Sequence, residues 1–152
     1  MAAYAAQLYN QPVDFELSVH NVDKPSLDYL DLQVRTQQFS DATLWLTGLP
    51  TFLEKSREFP EVTFVVGADT ARRIGQEKYY DNTRAMNSAI DEMTSLGIKF
   101  LVFGRTRAAD FHTLANLELP PALAELCTEV SEADFRLDLS STELRRSQEE
   151  DD

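Results

Sequence analysis

Apolar residues fall along this chain in alternations, in short runs and at helical spacing, and each pattern predicts a different element. Val13-Asp14-Phe15-Glu16-Leu17-Ser18-Val19 alternates apolar and polar, the period of a strand with two unlike faces. Leu44-Trp45-Leu46 centres a second strand over 42–47. Thr63-Phe64-Val65-Val66 is a short run bounded by turn residues, as in strands buried on both faces of a parallel sheet. Residues 98–105 read as another buried strand, with Gly104-Arg105 at its carboxyl end, and 134–138 as a last short one. Helical spacing predicts an uncapped helix over 2–9 and one from Ser26 through Phe39, with Leu27, Leu30 and Val34 on one face. Thr51 caps a third over 52–58, which Pro60 ends, and Asp69 or Thr70 caps a fourth. Thr83 to Leu96 is the longest, stopped by Gly97. Pro120 and Pro121 open one to about Thr128, and Ser140 or Ser141 caps the last over 142–147. The stretches 78–82 and 106–119 read as loops.

Strand and helix alternate throughout, which predicts a three-layer α/β fold with a mainly parallel sheet. The chain has 152 residues, enough for one domain with its own core, spanning 1–147 before the acidic tail 148–152. Composition then excludes several partners. No apolar run approaches the roughly 20 residues of a membrane span, and the first residues lack the basic leader and apolar core of a signal peptide. The single Cys127 cannot form an internal disulfide, which fits a reducing, cytoplasmic setting; a buried structural thiol is the reading for it. A net charge of −12 argues against a nucleic-acid backbone as partner. An anionic small molecule would need a local gathering of arginines.

Two stretches carry candidate chemistry. In Gly67-Ala68-Asp69, at the carboxyl end of a buried strand, Gly67 lets the backbone turn and a ligand come close. An ordinary strand-to-helix turn has the same signature. In Leu137-Asp138-Leu139-Ser140-Ser141-Thr142-Glu143-Leu144-Arg145, three hydroxyls at a helix start with an arginine one turn in make an anion site. A capping box, with Glu143 or a neighbour answering the serine, would read the same way. His20 and His112 read as surface or loop histidines.

The Ser140-Ser141-Thr142-Glu143-Leu144-Arg145 run resembles the ISSTxIR motif of the nucleotidylyltransferases whose other signature is HxGH. This superfamily includes the nicotinamide and nicotinate mononucleotide adenylyltransferases and their cytidylyltransferase-like relatives. Asn21-Val22-Asp23-Lys24-Pro25, Phe64 to Asp69, and Phe100 to Arg105 occur in the order that family uses, so the resemblance covers nearly the whole chain. It implies a Rossmann-like domain that joins a nucleoside triphosphate, with its Mg2+, to a phosphorylated acceptor and releases pyrophosphate. Adenylyl transfer from ATP to a pyridine mononucleotide is the reaction expected. By the same resemblance Gly67 and Asp69 meet the nucleotide's sugar and base, with Arg105 at the neighbouring strand end. Ser140, Ser141, Thr142 and Arg145 meet the triphosphate, and Lys24 stands on the substrate or phosphate side. No protein-held metal is implied.

The HxGH segment is not in these 152 residues. The resemblance therefore reads the chain as the C-terminal part of such a domain, a fragment or a degenerate copy, inactive as it stands, with the first strand of the sheet missing. A non-catalytic nucleotide-binding or regulatory module is the alternative, and a structural domain whose caps imitate the motif is a third. In a sheet of order 3-2-1-4-5 the first strand is central. Residues 13–19 are then expected not to pair with 63–66. The open edges would leave the chain marginally stable, or completed by a partner copy or an upstream segment.

Overall fold

Strand β3 (Thr63–Gly67) and strand β4 (Lys99–Phe103) run parallel with Phe64 beside Phe100, and the core is built on their two faces. The computed structural model describes residues 1–23, 25–107 and 110–135. A third parallel strand, β7 (Cys127–Val130), pairs the other edge of β4, giving the order β3-β4-β7. Strands β1 (Phe15–Ser18) and β2 (Leu44–Thr47) form a separate parallel pair. A short antiparallel hairpin, β5 (Arg105–Arg107) and β6 (Asp110–His112), follows β4. The protein is thus a mixed α/β structure with parallel sheets.

Successive side chains of a strand face opposite ways, and here each face finds its own helices. Phe64, Val66, Phe100 and Val102 pack with α4 (Ala68–Ile74), α5 (Thr83–Ser95) and Leu123 of α6 (Pro121–Ala124). Val65, Leu101, Phe103 and Val130 pack with Tyr4 and Ala5 of α1 (Ala2–Tyr9) and with Val13 and Phe135. The loop before β1 thereby shares a cluster with β3. Helix α3 (Phe52–Glu58) sets Phe52 edge-on to both Phe64 and Phe100, and its Lys55 is ion-paired to Glu16 of β1. Among the described residues no helix is long and apolar enough to cross a membrane.

Several elements follow local signals. Thr51 and Glu54 close a reciprocal capping box on α3, and Gly97 ends α5 at φ +71°, where a side chain would be strained. Four expectations need correction, one of them the loop expected over 106–119, which instead carries most of the β5–β6 hairpin. Ser26 does not start a helix: it is hydrogen-bonded to His20, while Asp28 accepts from Asp31 and caps the shorter α2 (Tyr29–Thr36). The face carrying Leu30 and Val34 is exposed, because no strand or helix lies against it among the described residues. The helix after Pro120 ends at Ala124, and 127–130 leave it for a strand because β4 offers a ladder there, with Phe100 donating to Leu126 at 2.8 Å. Within the expected strand 134–138, Asp134 and Phe135 instead return to Ser131 in a turn; 136–138 lie outside the described residues.

The strand β1 does not pair with β3, as the sequence expects. Phe15 and Val19 donate to Thr43 and Thr47, each at 2.8 Å, so the odd-numbered residues of β1 aim their backbone groups at β2. Lys99 donates to Val62 at 3.1 Å, which turns Phe64 and Val66 toward β4 by the same alternation. Glu16, Ser18, Thr63 and Val65 therefore point their amides away from their ladders, and none has a backbone partner among the described residues. Hydrogen exchange is expected to be at least about tenfold faster at these four than at Phe15, Leu17, Phe64 and Val66, since local protection follows local bonding. Equal protection at all eight would show that another strand closes these edges.

Candidate functional site

The carboxyl ends of β3, β4 and β1 converge on one edge of the molecule, the edge where parallel sheets hold ligands. β3 ends at Gly67, whose backbone is extended (φ −84°, ψ 160°) and becomes the N-cap residue of α4. No side chain caps this helix: it begins at Ala68, one or two residues before the expected caps, so Asp69 lies inside its first turn. Freed from capping, the Asp69 carboxylate turns outward to two arginines. A Cβ added at Gly67 would meet nothing within 4 Å, so the fold itself does not demand glycine there. A ligand approaching the backbone would.

Arg105 reaches this carboxylate from the next strand. Gly104 separates β4 from β5, and a Cβ there would lie 2.5 Å from the Phe111 ring, so only glycine lets the hairpin fold back so closely. That return fixes Arg105 at the hairpin's first position, where Nη1 donates to Asp69 Oδ2 at 3.1 Å. Arg72, one turn along α4, donates through Nη2 to Asp69 Oδ1 at 3.4 Å. Its Nε is buried without a hydrogen-bond partner among the described residues. His112 stands directly across the hairpin from Arg105, and directly opposed residues share a face. Asn116, which accepts from the Thr113 amide at 2.9 Å, completes the wall. These residues, with Ala68 and Leu117, line a cleft of about 200 Å³.

A second cluster lies beside the first. Asp23, in the loop after β1, pairs with Arg73 Nη1 at 3.1 Å and accepts from the Tyr79 hydroxyl at 3.1 Å. Arg72 and Arg73 are neighbours on α4 and reach different partners, Asp69 on the same helix and Asp23 in the loop after β1. In a chain with 14 basic residues against 26 acidic ones, three arginines at one sheet edge are a local reversal of the molecule's charge.

The structure brings together Gly67, Asp69 and Arg105 of the residues the sequence singles out. Lys24, Ser140, Ser141, Thr142 and Arg145 lie outside the described residues. Arg72, His112 and Asn116 escape the sequence reading. Arg72 is three residues from Asp69 on a helix, a spacing that could have suggested it. His20 is exposed in its loop, as expected, whereas His112, expected at the surface or in a loop as well, lies in β6 and is half-buried in the cleft wall. Cys127 sits in a strand and not a helix, and burial pushes its thiol up to about 11. A thiol held protonated in that way is a poor nucleophile, which fits the structural role expected of it. Among the described residues, no three His, Cys, Asp or Glu side chains gather to hold a metal ion. No family model matches the chain, and neither a curated protein nor a solved structure matches it.

Proposed function

We propose that this chain is a nucleotide-binding domain of the nucleotidylyltransferase type, Rossmann-like in architecture, that takes ATP at the carboxyl edge of β3 and β4. One observation carries the reading. Gly67-x-Asp69 and Gly104-Arg105, 36 residues apart, end neighbouring strands and meet at 3.1 Å. In this reading the arginines take phosphate oxygens, since guanidinium presents paired donors to an oxyanion. Asp69 accepts from sugar hydroxyls, and open space at Gly67 lets the nucleotide lie against the backbone. The Ser140-Ser141-Thr142 segment with Arg145 holds the rest of the triphosphate, and Lys24 faces the acceptor. Mg2+ arrives with the nucleotide.

The chemistry served is adenylyl transfer to a pyridine mononucleotide: an acceptor phosphate oxygen attacks the α-phosphorus and pyrophosphate leaves. Such a reaction asks the protein for positioned donors and cations more than for a covalent step. Without HxGH, the 152 residues hold the nucleotide but do not turn it over. The second reading, a regulatory module that only binds, rests on that same absent motif. Calorimetric titration with Mg·ATP is expected to show saturable binding. Incubation with ATP and nicotinamide mononucleotide is expected to yield no dinucleotide. Absence of ATP binding would remove the nucleotide reading altogether, and dinucleotide formation would mean that the chemistry lies in other residues.

A further inference from the structure

One carboxylate faces two guanidiniums in the cleft, and it serves neither fully. Asp69 reaches Arg72 only through Nη2, at 3.4 Å, the long end of a hydrogen bond. The adjacent Nε of Arg72, the other tine of a fork that suits two parallel bonds, is buried with no acceptor among the described residues. Buried donors are nearly always satisfied; Arg72 lines the cleft with its side chain 40% exposed, so an acceptor entering there would satisfy this one. Arg105 gives Asp69 one bond, at 3.1 Å, from a guanidinium with five N–H groups. The cluster keeps one net positive charge in a protein whose net charge is −12.

We propose that Asp69 is a displaceable counter-ion, standing in the cleft where a terminal phosphoryl group of the ligand goes. A planar carboxylate anchored to α4 cannot meet both forks at once. A tetrahedral group with three free oxygens and about two negative charges can bond Arg72 through Nε and Nη2 and still face Arg105 and His112. The class of ligand is a phosphomonoester or pyrophosphate terminus, preferred over a lone carboxylate. The inference rests on the nucleotide reading in placing that phosphate on a nucleotide. Asp69, once displaced, becomes free to accept from the sugar.

The counter-ion role sets Asp69 apart from an ordinary binding residue, because removing its charge should help the anion. Inorganic pyrophosphate and sulfate are titrated at fixed ionic strength into the parent chain, Asp69→Asn, Asp69→Ala and Arg72→Ala. The side chain of Asp69 is 42% exposed, so both replacements are compatible with the fold. Pyrophosphate is expected to bind about fivefold to tenfold tighter to Asp69→Asn and Asp69→Ala, and at least about tenfold weaker to Arg72→Ala. The gain should shrink as salt rises. Mg·ATP should gain less than pyrophosphate, since it loses the acceptor for its sugar. Unchanged or weaker pyrophosphate binding in both Asp69 variants would overturn the counter-ion. So would absence of pyrophosphate binding in every protein, while ATP binding would still leave the nucleotide reading standing. A gain for pyrophosphate with no ATP binding anywhere would keep the counter-ion and remove the nucleotide.

Discussion

Phe100→Ala is expected to lower the stability of the folded chain by about 3–5 kcal/mol, the cost of a large cavity in a core that cannot collapse around it. Phe100 is fully buried in β4, beside Phe64 of β3. Its ring stacks on Phe64 at 5.8 Å and meets Phe52 at 5.7 Å, so truncation strips partners from both a strand and a helix. Alanine keeps the backbone bond to Leu126, which confines the loss to packing. Against the 5–15 kcal/mol typical of a domain, this is enough to move the urea midpoint far at constant slope. Leu30→Ala is the internal control: its side chain is exposed and should cost under about 0.5 kcal/mol. A loss under about 1 kcal/mol at Phe100 would mean that the three-ring cluster does not hold the core.

The contrast between Phe100 and Leu30 marks where hydrophobic pattern was informative. Strands β3 and β4 were legible because their apolar runs exceed what one face can use, and both faces are in fact covered. Helices α3 and α5 were legible from local chemistry, a capping box and a left-handed glycine, which act without regard to distant residues. Leu30 and Val34 share one face of α2, yet that face stays exposed. Amphipathic spacing states what a helix could bury and says nothing of whether a surface lies opposite. At 127–130 the error ran the other way. Leu123-Ala124-Glu125-Leu126 suits a helix, but the free edge of β4 outweighs that local preference and draws the next residues into the sheet.

The candidate site divides along the same line. Gly67, Asp69 and Arg105 could be read because they end apolar runs, and strand ends at one edge of a parallel sheet meet by construction. His112 and Asn116 come to the cleft through a hairpin whose strands are three residues long and without apolar alternation. Its formation depends on Phe111 closing over Gly104, a contact that sequence spacing does not announce. Asp69 was legible as a residue but not in its surroundings. Only the early start of α4, at Ala68, releases it from capping to face two arginines.

Arg105→Ala is expected to weaken Mg·ATP binding by about 1.5–3 kcal/mol, the range for hydrogen bonds to charged groups. That corresponds to roughly a tenfold to 150-fold rise in Kd. The loss has two parts. One guanidinium that faces the phosphate is gone, and the remaining one, Arg72, is then matched by Asp69, so the cleft loses its net positive charge. Lysine at 105 should recover only part of the affinity, since a point charge lacks the planar fork and reaches one oxygen at a time. Arg73→Ala is the comparison that isolates the cleft. It removes the same charge from the same helix, but its partner is Asp23 at the end of β1, and its effect should stay within a few-fold. Calorimetry on the four proteins at one ionic strength decides the matter. If Arg105→Ala binds ATP as the parent does, the meeting of Gly67-x-Asp69 with Gly104-Arg105 is a feature of the fold alone. If Arg73→Ala loses as much as Arg105→Ala, the nucleotide responds to the charge of the whole edge and not to the cleft between β3 and the hairpin.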